Sequence, residues 1–127
     1  MIVNEQLRSV AQAQARKTLE EINGVVAVVI ATADGFDIAS AVTCDIDPVR
    51  VAALASSISA IGSVVSQEAR LGKNRSVTIN TDAGFAFLSA VNRADLELVV
   101  NVIANEHAIL GQVAWHCGEC VKALEAA

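Results

Sequence analysis

Apolar and polar positions along the chain switch between two periods. Leu7, Ala11, Ala15, Thr18, Leu19 and Ile22 recur at helical spacing on one face. Asn4 is placed to cap that helix and Asn23-Gly24 to stop it near Ile22. Val25 to Ala31 is then an unbroken apolar run, rich in β-branched residues and too short for a good helix. A strand with one wet face would alternate; this run does not, which predicts a strand covered on both faces. Asp34-Gly35 supplies a tight turn, and Phe36, Ile38 and Ala39 return as a second strand reaching about Val42. A central hairpin with helices on both sides of its sheet is the first structural expectation.

Asp47-Pro48 opens a second helix, with Asp as cap and Pro at the first helical position, where its missing N–H costs nothing. It is expected to run to about Arg70 or Leu71, with Gly72 as the stop. Ser76–Asn80, Phe85–Val91 and Leu96–Ile103 read as strands, separated by Asp82-Ala83-Gly84 and Asn92-Arg93-Ala94-Asp95. A last helix spans roughly Ala108 to Glu125. The order is helix, two strands, helix, three strands, helix, with no linker or repeat, so residues 1–127 are expected to form one domain.

The second helix carries no charge between Arg50 and Glu68. Val51, Leu54, Ile58, Ile61 and Val65 fall on one face and are expected to be core. Ala52, Ser56, Ser59, Ser63 and Ser66 form a stripe of small residues on another side. A solvent-exposed serine-rich face would explain that stripe. The reading favoured by the missing charge is a two-fold contact in which this helix meets its own copy, since small residues allow close approach.

In the last helix Leu110, Val113, Ala114, Cys117, Cys120, Val121 and Leu124 fall within roughly 120°, a core stripe of normal width. Trp115 lies outside that arc, between Gly111 and Gly118. It is a candidate partner hot spot, or its ring folds over a neighbouring loop. Cys117 and Cys120 form a Cys-x-x-Cys pair, but two or three turns into a helix they lack the N-terminal field that lowers thiol pKa. His116 points about 100° away from Cys117, so a zinc ligand set is not assembled. Two apolar-facing cysteines acting as small hydrophobes is the expectation.

Composition narrows the chemistry further. The chain is 54% hydrophobic but 3% aromatic, and its formal net charge is −5. With no Lys/Arg cluster longer than Arg16-Lys17, nucleic acid and an anionic membrane surface are poor partners. The uncharged stretch from Val51 to Gln67 holds five serines and is short for a membrane span. Three cysteines and no visible export signal point to the cytoplasm. Gly72-Lys73 is not a phosphate-binding loop, because Gln67 stands where glycine is required and Asn74 follows the lysine. No Gly-x-Gly-x-x-Gly follows a strand, and no Ser/His/Asp set can be assembled. No catalytic, cofactor or metal residue is nominated.

The chain resembles the Roadblock-type dynein light chain family, including its bacterial and archaeal regulators of small Ras-like GTPases. The matching residues are Ile22-Asn23-Gly24-Val25, Ala33-Asp34-Gly35 with Ile38-Ala39-Ser40, Asp47-Pro48 opening a small-residue helix, Gly84-Phe85, and Leu110-Gly111-Gln112-Val113. Cys117 and Cys120 are outside that pattern. The resemblance implies a profilin-like α/β (α+β) fold, with a five-stranded antiparallel sheet, the central helix on one face and both terminal helices on the other. It implies a homodimer that pairs the third strand, Val77, Thr78 and Ile79 included, and packs the central helices together. It further implies a non-catalytic regulator or adaptor of a small GTPase, with no cofactor. A structural adaptor without GTPase dependence, and a thiol or metal protein using Cys117 and Cys120, are the rival readings.

Overall fold

The computed structural model describes residues 3–127. Its elements are α1 (Glu5–Glu21), β1 (Val25–Thr32), β2 (Asp37–Val42), α2 (Pro48–Glu68), β3 (Ser76–Thr81), β4 (Gly84–Val91), β5 (Leu98–Asn105) and α3 (Leu110–Ala126). The sequence signals for the first two helix starts are realised locally. The Asn4 side chain accepts from the Leu7 N–H at 2.7 Å, and the Asp47 side chain accepts from the Val49 N–H at 3.0 Å. At the hairpin turn Thr32 rather than Asp34 organises the backbone: its carbonyl accepts from the Gly35 N–H and its hydroxyl from the Phe36 N–H. Gly35 takes φ +101°, a conformation that favours glycine.

The five strands pair antiparallel in the order β2-β1-β5-β4-β3. β1 and β5 lie inside the sheet and are buried almost throughout, which is why β1 reads as a continuous apolar run. α1 and α3 cover one face. There Leu7, Val28, Ile30, Val100, Val102, Val113 and Leu124 are buried in one cluster. α2 lies alone on the other face, over two small clusters: Val29 and Ala31 with Ala52, and Leu88 and Val99 with Ala55.

Two elements start two residues later than expected. β5 begins at Leu98, because the preceding loop is tied elsewhere. Arg93 donates to both carboxylate oxygens of Asp95, and its guanidinium also donates to the Leu124 carbonyl and, at 2.8 Å, to the Ala127 carbonyl. A cation thus sits on the unpaired carbonyls at the end of α3, where the helix field favours it. The Arg93 hydrogen bond holds the Asp95 carboxyl below its usual range. α3 begins at Leu110, two residues late, because Asn105 forms a turn with His107 and Ala108.

The rotation of α2 overturns one expectation. The spacing of large residues puts Leu54, Ile61 and Val65 in the core; they are 60%, 64% and 57% exposed. Small residues face the sheet instead. Ala52 and Ala55 are fully buried, and the Ser56 hydroxyl donates to the Ala33 carbonyl at 2.6 Å. The cause is distance: small side chains let the helix axis settle close to the strands, and larger ones would hold it off. At Gly62 a Cβ would lie 2.9 Å from Val77 Cγ2, so even alanine there would force Val77 to move. By length and composition α2 would also pass as a membrane span. Only its small-residue stripe is packed on the sheet; the large residues that dominate its hydropathy lie outside.

β3 returns to β4 through a two-residue turn, Asp82-Ala83, closed by Gly84 at φ +155°. A Cβ at Gly84 would lie 2.0 Å from the Ala104 carbonyl oxygen of the neighbouring strand, which is backbone and cannot swing aside. Gly84→Ala is therefore expected to lower stability by about 2 kcal/mol or more. Urea unfolding followed by circular dichroism measures it, and an unchanged midpoint would contradict this packing.

Candidate functional site

The outward side of α2 and the β3 edge together form the most distinctive surface. Val49, Leu54, Ile61, Val64 and Val65 are all more than half exposed. Singly exposed apolar residues are ordinary, but Leu54, Ile61, Val64 and Val65 share one helix within a stretch free of charge from Val51 to Gln67, the kind of patch that interaction surfaces present. Between α2 and β3 lies an open, mainly apolar groove of about 470 Å³, bounded by Ile58, Ile61 and Val65 on the helix and Ser76 and Val77 on the strand.

The residues expected at a two-fold contact divide between two surfaces. Ala52 and Ser56 lie against the sheet and face no partner; Ser59 and Ser66 are half-buried at the flank, and Ser63 is exposed. Ser59 and Ser63 line a polar cleft of about 250 Å³ at the far end of α2, with Lys73, Asn74, Asn92 and Glu97. On β3, Val77 is half-buried under α2, Thr78 is exposed, and Ile79 is 38% exposed. The residues that sequence reasoning missed are Leu54, Ile61, Val64 and Val65. Hydrophobic periodicity ranks large residues above small ones, so it turns the first, second and fourth of these inward and leaves Val64 unassigned.

The two edges of the sheet are treated differently. On β2 the Gln12 amide behaves like a neighbouring strand: its Nε2 donates to the Ser40 carbonyl at 2.8 Å, and its Oε1 accepts from the Ser40 N–H at 3.4 Å. Arg8 adds a donor to the Ile38 carbonyl at 3.1 Å. These contacts satisfy the outward carbonyl of Ile38 and both backbone groups of Ser40, which obstructs further pairing along the middle of β2. Among the described residues no side chain does the same for β3, whose outer edge is open.

On the opposite side of the molecule, Trp115 projects from α3 and is 63% exposed. It does not fold over a loop. His116 stands edge-on to it, with ring centroids 5.0 Å apart, and places Nδ1 3.7 Å from a Glu21 carboxylate oxygen on α1.

Cys117 and Cys120 face the core, as expected, and are free thiols at most 1% exposed. Burial pushes the pKa of both thiols up to about 12; for Cys117 the neighbouring Cys120 adds to the rise, and hydrogen bonds with Ser89 and Thr18 oppose it at Cys117 and Cys120 respectively. A thiol held protonated is neither a nucleophile nor a metal ligand. Among the described residues no group of His, Cys, Asp and Glu is placed to hold a metal ion. One further polar group lies inside: Asn101, on β5, alternates with Val100 and Val102 and so points to the α2 side, where its Oδ1 has no partner.

One helix on one face of a five-stranded antiparallel sheet, and two on the other, define the profilin-like α/β class. Within it, the chain belongs to the Roadblock/LC7 domain family, whose model matches residues 12–101. Solved structures agree over nearly the whole chain. The Roadblock/LC7 domain from Streptomyces avermitilis superposes with a TM-score of 0.81 at 17% identity, covering 91% of this chain and 94% of that one. Myxococcus xanthus MglB gives 0.82 at 18% identity, with 99% and 92% covered. The gliding protein MglB from Thermus thermophilus gives 0.83 at 14% identity, with 99% and 93% covered. Likeness at this identity establishes the fold. No curated protein matches the sequence.

The buried thiols make a prediction about both reactivity and pH. An unfolded thiol titrates near 9, whereas these retain their protons to about 12. Their contribution to stability is complete below pH 9 and is lost as pH rises toward 12, because only the unfolded chain releases protons in that window. A thiol reagent should label Cys44 alone in the native protein and all three cysteines in denaturant. The melting temperature should fall above pH 9, and fall less in a Cys117→Ala/Cys120→Ala variant. Native labelling of three thiols would contradict the burial.

Proposed function

We propose that the chain is a cytoplasmic, non-catalytic regulator or adaptor of a small Ras-like GTPase, acting as a homodimer. The observation that carries the dimer is the continuity of the charge-free apolar face of α2 with the open β3 edge. A second copy related by a two-fold axis would pair β3 with β3 and lay α2 beside α2, covering Leu54, Ile61 and Val65 in one operation. The capped β2 edge would stop the sheet from extending further. Among the fold relatives is one described as MglB with a tetrameric arrangement, an even assembly compatible with a two-fold unit.

The GTPase reading rests on membership of the Roadblock/LC7 family, to which the resemblance in the sequence ascribes binding of small Ras-like GTPases. The mechanism follows from linkage. A dimer that binds one nucleotide state more tightly shifts the GTPase toward that state by the ratio of the two affinities, with no chemistry of its own. That fits a chain whose two core thiols are inert.

Two measurements test the reading. Ile61→Arg places a charge in the proposed helix–helix contact while altering nothing packed on the sheet. It is expected to sediment at 13.2 kDa with native helicity, where the parent runs at about twice that mass. A variant that stays the size of the parent would remove α2 from the contact. Immobilised protein should capture a small GTPase from host lysate in one nucleotide state, GDP or a non-hydrolysable GTP analogue, in preference to the other. The same non-GTPase proteins captured in both states would favour a structural adaptor.

A further inference from the structure

We propose that the groove between α1 and α3 binds an arginine side chain presented by a partner protein, with the guanidinium on the Trp115 indole and between the carboxylates of Glu21 and Glu119. The groove is about 510 Å³; Lys17 and Glu21 line it from α1, and Trp115, His116 and Glu119 from α3. It lies across the sheet from α2, so it stays open in the proposed dimer and does not depend on the GTPase reading.

Three features point to this occupant. First, the only Trp of the chain is 63% exposed, although the core behind it is complete without it. Second, the residues above and below it on the helix surface, Gly111 and Gly118, are bare: a Cβ at either would meet nothing within 4 Å. Glycine inside a helix is less favourable than alanine, and folding here does not require it. Neither glycine lines the groove itself; together they leave room for a partner backbone on the flank of the indole that faces away from Glu119 and His116. Third, charge selects the ligand. Among the described residues Lys17 is the one lysine or arginine lining the groove, against the two carboxylates. The Lys122 ammonium lies 3.9 Å from Glu119, but both side chains are solvated and such a pair competes weakly.

A planar guanidinium is the side chain that meets all three conditions. It stacks on an indole face, donates in pairs to carboxylates, and is desolvated more readily than an ammonium. His116, edge-on to the indole and facing Glu21, supports the orientation of both groups. An acidic segment would be repelled, and a purely apolar one would leave the carboxylates facing unfavourable surface.

The indole N–H of Trp115 gives a single, unambiguous NMR cross-peak, because no other Trp is present. Titration of isotope-labelled protein with acetyl-Gly-Arg-Gly-amide, at constant ionic strength, should shift that peak saturably together with backbone amides of residues 14–21 and 115–123. The matched Leu and Glu peptides should produce no saturable shift, and the Lys peptide should bind several-fold more weakly. Glu21→Gln/Glu119→Gln should retain the native spectrum elsewhere and weaken the Arg peptide roughly five-fold or more. No saturable shift with the Arg peptide, equal affinity for the Leu or Lys peptide, or unchanged affinity in the double variant would each overturn the assignment.

Discussion

A helix with no charge from Val51 to Gln67 has two faces to shelter from water, and a single sheet shelters only one of them. The choice is made by approach distance. Ala52, Ala55, Ser56 and Gly62 let α2 settle onto the strands, and that leaves Leu54, Ile61, Val64 and Val65 outside. Burying a large aliphatic side chain is worth about 1.5–3 kcal/mol relative to leaving it exposed. Several such residues on one face are a substantial cost to a monomer and a substantial driving force for association.

The sheet is arranged consistently with that demand. Its inner strands are saturated by their neighbours, so any pairing with another chain must use β2 or β3. Gln12 and Arg8 of α1 satisfy the outward Ile38 carbonyl and both backbone groups of Ser40 on β2. β3 is open and lies next to the exposed face of α2. One edge is thus closed by side chains and the other is free beside the apolar surface, which directs assembly to one place. The Trp115 surface is separated from it by the thickness of the sheet, so the two faces can act independently.

Much of the fold was legible in the sequence because its signals are local. Asn4, Asp47-Pro48 and the glycines at turns act through their own backbones, and the β1 run reports a strand covered on both faces. The α1 stripe was also legible, as was the α3 stripe from Val113 onward, since each of those helices has a charged side that marks the outside; Leu110, expected in the α3 core stripe, is 40% exposed. α2 has none, and there hydrophobic periodicity pointed the large residues inward. The run Ala52, Ala55, Ser59, Gly62 and Ser66, spaced three and four apart, was the available signal: a glycine in such a stripe marks the side of closest approach. The dual hydrogen bond of Gln12 to Ser40 and the Arg93 clamp on α3 join residues about 30 positions apart. No local pattern announces them. Asn101 was read only as part of a strand, and its burial under α2 follows from sheet register rather than from any neighbour in sequence.

The central claim is that the large apolar face of α2 is buried by a second copy of the chain. Sedimentation equilibrium of the unmodified protein over a micromolar concentration range tests it most directly. A mass near twice 13.2 kDa, holding steady on dilution to the low micromolar range, is what this arrangement predicts. A mass of 13.2 kDa at every concentration would contradict it and leave the exposed face of α2 for some other partner.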